Sequence, residues 1–170
     1  MMIHNTIEEV RKCIDNELYL AALTLALTLP DVCSQAEYPD IDKTSVRYKK
    51  WITEKMDKYD NPANQPGREW KAYKNYPYFG AKNIYALRCA LFHESNPNVS
   101  VKKVNKFVLY ADKKGLDSRI CMSDEFTEYS VNVVDLCKKI CSCAEVSYEK
   151  NKKSFKNMEY KIYRDPYGSK

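Results

Sequence analysis

The chain reads as a mainly α-helical bundle of about five helices with a small antiparallel β-hairpin inserted between the last two, and three observations predict it. Apolar residues recur at helical spacing in five separate stretches. One of these, Leu18 to Leu29, is apolar nearly all round, the pattern of a helix buried on most faces. Between about residues 104 and 131 the pattern changes to short runs rich in β-branched and aromatic residues around turn formers. With 170 residues the chain is long enough for one domain with a full hydrophobic core. Residues 1–153 are assigned to that domain and 154–170 to a basic C-terminal extension.

The first helix is expected over residues 5–15, with Asn5 or Thr6 as its cap and Ile7, Val10 and Ile14 as its apolar stripe. The second, from Leu18, is too short to span a bilayer, and acidic Asp15 and Glu17 abut it where a signal peptide would be basic. The expected setting is therefore cytoplasmic, without a membrane. Pro30 predicts a kink or a fresh helix start, with Thr28 and Asp31 in a capping arrangement. Asp31 is either that cap or a partner for Arg88 on a neighbouring helix.

Val46 to Tyr59 carries Tyr48, Trp51, Ile52 and Met56 on one stripe and forms the third helix. Asn61 to Gly80 holds three of the seven prolines and reads as a long irregular connection over the mouth of a cleft. The fourth helix begins at Ile84 and ends close to His93, because Ser95, Asn96 and Pro97 form a stop signal. Strands follow at Phe107 to Tyr110 and Arg119 to Met122, joined through a turn at Lys113 to Asp117, with a short third strand at Tyr129 to Val131. The last helix runs from Val133 to about Lys150 under an Asn132 cap. From Tyr148 to Lys170, seven Lys or Arg against three Asp or Glu make a basic tail, with a final strand at Met158 to Tyr163 as one arrangement.

Composition narrows the chemistry. The four glycines stand too far apart for a phosphate loop or a dinucleotide fingerprint, so no nucleotide cofactor is implied. Seven cysteines without a paired framework suit a reducing compartment, and Cys137, Cys141 and Cys143 lack the spacing of a metal site, so no metal is implied. A net charge of +5 accompanies fourteen tyrosines. Basic residues interleaved with aromatics, as in Arg47, Tyr48, Lys50 and Trp51, suit nucleic acid: cations meet the phosphates and rings stack on unpaired bases. The other reading of the same run is core rings and solvated cations.

The residues that carry chemistry lie in Ile84 to Pro97, where Arg88 and His93 stand five apart. Arginine supplies a permanent planar donor fork for phosphate, and histidine exchanges a proton near neutral pH. On an unbroken α-helix two such residues point about 140° apart. They converge only if the helix turns at Phe92 to Glu94 or if two subunits meet across a dimer axis. Otherwise Arg88 holds a neighbouring helix and His93 caps a helix end.

The run Tyr85 to His93 resembles the arginine, four to six residues, histidine motif of the HEPN superfamily. Two further runs, Ala22 to Cys33 and Arg47 to Trp51, are similar to stretches of bacterial and phage-encoded HEPN-like proteins. The resemblance implies a helical homodimer and a metal-independent endoribonuclease of toxin-antitoxin or anti-phage defence systems, with an antitoxin protein as a further partner. Attack by a ribose 2′-hydroxyl would leave a 2′,3′-cyclic phosphate. Arg88 would bind the phosphate and His93 handle the proton, with Tyr85, Asp31, Glu94 and Asn96 in support. Cys89 departs from the polar residue, often asparagine, that follows the arginine in many active members. The superfamily also includes members that only bind RNA, nucleotides or proteins, which is the alternative.

Overall fold

The computed structural model describes residues 2–61, 79–94, 106–114, 119–122 and 127–158. Helix α1 spans Met2–Asp15 and buries Ile3, Ile7, Val10 and Ile14, the apolar stripe of its sequence. It begins before the expected cap, so Asn5 and Thr6 lie within the helix. Leu18 N–H closes its end by donating to the Cys13 carbonyl at 2.8 Å, and Glu17 takes the left-handed conformation with φ of 61°. That conformation costs a non-glycine residue about 1 kcal/mol, more than an exposed ion pair such as Glu17 with Lys113 returns. Glu17→Gly should therefore stabilise the fold by about 0.5–1 kcal/mol, read as a higher midpoint of urea unfolding.

Helix α2, Tyr19–Glu37, is the centre of the bundle and packs against α1, α3 and α6. The fresh helix start expected as one outcome at Pro30 does not occur: the helix continues through it for seven residues. Pro30 leaves the Ala26 carbonyl without its helical donor, but Leu23, Ala26 and Leu27 before it and Cys33 after it are fully buried. Packing on both sides of the proline outweighs its local cost of about 3 kcal/mol. Thr28 does not cap a new helix either; its hydroxyl donates to the Leu25 carbonyl at 2.7 Å.

Helix α3, Thr44–Ile52, runs on through a π-helical turn at Thr53–Asp57 into a short α4, Lys58–Asp60. Asp57 of this turn accepts a hydrogen bond from the Ala81 N–H at 3.1 Å, which fastens the first turn of α5, Ala81–Cys89. Burial raises the Asp57 carboxyl above its ordinary range, and the Ala81 N–H opposes the rise. Helix α5 then widens into a second π-helical turn, Ala90–Glu94. The connection expected at Asn61 to Gly80 falls almost wholly outside the described residues.

Three strands follow, β1 at Lys106–Tyr110, β2 at Arg119–Met122 and β3 at Thr127–Asn132. They do not form the expected antiparallel hairpin. The order is β1-β3-β2, with β1 parallel and β2 antiparallel to β3. β3 takes the centre because it carries the face that the core needs: Tyr129 and Val131 are buried opposite Phe107 and Leu109 of β1. The Phe107 and Tyr129 rings stack at 6.0 Å, and Phe79 closes on both edge-on or tilted.

Helix α6, Val133–Asn151, starts where the sequence placed it, with the Asn132 side chain accepting from the Val134 N–H at 3.2 Å. The same buried amide accepts from the Asp112 N–H and donates to the Asp112 carbonyl, so it also ties the end of β1 to the helix. Asn132→Ala should cost about 2–3 kcal/mol, the loss of a cap plus partners left bare, measured by thermal or urea unfolding. A 3₁₀ segment, Lys152–Met158, then buries Phe155 against Tyr148, so the proposed extension begins by packing on the bundle. The strand expected at Met158 to Tyr163 lies outside the described residues, apart from Met158 itself. No helix among the described residues is long and apolar enough to cross a membrane.

Candidate functional site

Helices α2, α3 and α5 meet around Tyr48, which is fully buried and donates its hydroxyl to the Leu27 carbonyl of α2 at 3.2 Å. Burial pushes the phenol well above its ordinary pKa, and Asp31 adds to the rise, so Tyr48 remains a neutral donor. Its ring meets the Tyr85 ring of α5 edge-on at 5.3 Å. This contact sets the spacing of α3 and α5.

Arg88 lies in the last turn of α5, one turn beyond Tyr85. Its Nε and Nη2 both donate to Asp31 Oδ2, at 3.2 and 3.0 Å. The pairing with a neighbouring helix is therefore formed, and Asp31 serves as a partner on α2 rather than as a cap. It joins two helices within one chain, with 19% of the Arg88 side chain and 24% of the Asp31 side chain exposed. Burial lowers the guanidinium pKa, but Asp31 outweighs it and the net shift is upward. Arg88 stays charged and its fork has a fixed orientation.

Two rings flank that guanidinium, Tyr85 at 6.0 Å and Phe92 at 5.3 Å from its centre. Burial and then Cys89 raise the Tyr85 phenol. Cys89 thus lies within the cluster, next to both the arginine and the tyrosine. The backbone of His93 and Glu94 belongs to the π-helical turn, while their side chains, and Asn96 altogether, lie outside the described residues. Bonding from residue i to i+5 widens a turn and reduces the angle between positions five apart. Along the backbone, positions 88 and 93 are consequently separated by less than the 140° of a straight α-helix.

The run on α3 divides differently from the nucleic-acid expectation. Tyr48 and Trp51 have no exposed surface, so neither ring can stack on a base; Trp51 instead points Nε1 at Glu37 Oε1, 3.4 Å away. Arg47 donates to the Ile41 and Asp42 carbonyls at 3.2 Å and braces the start of its own helix. Lys50 stands 4.4 Å over the Tyr38 ring and 3.9 Å from Glu54. Burial took these side chains because the helical stripe that includes Tyr48 and Trp51 faces α2 and α5.

The sequence marks Lys49 only as a member of the basic-aromatic run and Phe92 only as part of the apolar flank of the fourth helix, and singles out neither as a site residue. Lys49 places Nζ 5.6 Å over the Tyr85 ring, and Phe92 is 39% exposed beside Arg88. Their signal was adjacency, one within the basic-aromatic run and the other next to His93. Among the described residues no group of three His, Cys, Asp or Glu side chains could hold a metal ion. Burial raises the Cys137 and Cys141 thiols, Cys141 to about 12, as for packed α6 residues. No protein-family model, curated protein or solved structure matches the chain.

Proposed function

We propose that the protein is a metal-independent endoribonuclease of HEPN type, in which Arg88 binds the scissile phosphate and His93 handles the proton of the attacking ribose 2′-hydroxyl. The observation that carries this reading is the π-helical turn that begins two residues after Arg88, at Ala90. Such turns are uncommon and concentrate at functional sites, and this one reduces the angle that separates backbone positions 88 and 93. Asp31 fits as the group that orients the guanidinium. A fixed donor fork meets a phosphorane without reorganising, which is where electrostatic stabilisation is most effective.

The same reading makes the active unit a homodimer in the cytoplasm, with a neutralising antitoxin as a partner and a role in toxin-antitoxin or anti-phage defence. Its test is cleavage of a mixed single-stranded and structured RNA pool by the purified protein in excess EDTA. Cuts that leave 2′,3′-cyclic phosphate ends support it, and an inert protein under all RNA compositions overturns it.

A second reading is a non-catalytic RNA- or protein-binding module. It is favoured by the Arg88–Asp31 pair, which engages two guanidinium donors within one subunit, and by Cys89 following the arginine. RNA bound without cutting is its expected result.

A further inference from the structure

The side chains of the α3 run from Arg47 to Trp51 are accounted for by carbonyls, core, or an acidic neighbour, with one exception. Lys49 is half-buried and has no carboxylate partner among the described residues. Its ammonium instead stands 5.6 Å from the centre of the Tyr85 ring, the same ring that the Arg88 guanidinium approaches at 6.0 Å. The two cations cannot be more than about 12 Å apart. Asp31 neutralises one of them, so among the described residues the cluster keeps one net positive charge.

A cation–π contact offers a lysine only about 0.5–1 kcal/mol at such a site, a weak return for partial desolvation. An anion would supply the missing counter-charge. The exposed Phe92 ring, 5.3 Å from the guanidinium, adds a flat apolar face next to the same place. Cations around a half-buried ring, with an exposed ring alongside, fit a ligand whose charges and planar groups alternate.

We propose that Lys49 and Arg88 form a two-cation phosphate subsite around Tyr85 that holds a single strand of RNA, with Phe92 stacking one unpaired base. The ligand class rests on the ribonuclease reading, and Lys49 is a binding residue that takes no part in the chemistry. A duplex keeps its bases paired and gives Phe92 nothing to stack on.

The test uses a short, unstructured 2′-O-methyl RNA, which lacks the attacking hydroxyl and so stays intact, titrated by fluorescence anisotropy over a range of salt. Lys49→Gln should weaken binding and lower the slope of log K against log salt by about 0.7, the share of one phosphate contact on a single strand. Lys49→Arg should keep the slope, and Lys12→Gln, exposed on α1, should match wild type. Phe92→Ala should lose about 5- to 150-fold in affinity with the slope unchanged. A Lys49→Gln protein with wild-type slope and affinity overturns the subsite, while cutting of unmodified RNA in the same preparation leaves the ribonuclease reading standing. A Lys49-dependent slope in a protein that never cuts supports the subsite and overturns that reading. A wild type that binds no single strand overturns the subsite, and it overturns the ribonuclease reading as well only if it also leaves the mixed single-stranded and structured pool uncut.

Discussion

Under the proposed ribonuclease reading, Arg88→Ala will lower RNA cleavage by about 10²- to 10⁴-fold, and His93→Ala will do the same, each measured as an initial rate in EDTA. Arg88 also holds α5 to α2 through Asp31, so its loss must be separated from unfolding. Removing one partner of this charge-assisted, partly buried pair costs about 2 kcal/mol. A domain of this size has about 5–15 kcal/mol to lose, so nearly all of the variant stays folded. Destabilisation of that size cannot produce a hundredfold fall in rate. Arg88→Lys keeps the charge but not the planar fork; it should retain the fold and still cut poorly. If cleavage in these variants falls only in step with the unfolded fraction, Arg88 is a structural residue and the binding-module reading takes its place.

Trp51→Ala will destabilise the protein by about 3–5 kcal/mol, the usual loss for a large aromatic taken from a closed core. Trp51 is wholly buried and reaches Glu37, whose side chain is 8% exposed and pairs with Lys55 at 2.7 Å. The substitution therefore leaves a cavity beside an ion pair that relied on it for cover. Urea unfolding should show a much lower midpoint, and RNA affinity per folded molecule should be unchanged. Loss of RNA binding at an unchanged midpoint would mean that the ring is exposed and contacts ligand.

The contrast between Trp51 and Lys49 shows how far the sequence reaches. A basic-aromatic run is compatible with nucleic acid or with a buried helix stripe, and nothing within five residues distinguishes them. The helix phase decides it by turning Tyr48 and Trp51 inward and leaving Lys49 beside α5. Phe92 was ambiguous for the same reason, since an apolar residue near a helix end is ordinarily core. The partnership of Asp31 and Arg88 was legible only as one of two choices, because the residues stand 57 positions apart.

Local pattern alone determined the order of the five main helical stretches, the Asn132 cap and the approximate position of the three strands, because spacing, capping and turn chemistry act over a few residues. Tertiary structure decided what those signals could not weigh. It carried α2 through Pro30, since burial on both sides exceeds the cost of one missing hydrogen bond. It put β3 between β1 and β2 in place of a hairpin, since strand order follows which face the core must cover rather than which strands are adjacent in the chain. It also widened the turn after Arg88 and set the guanidinium on Asp31. These outcomes depend on contacts between distant segments, whose energies no local pattern contains.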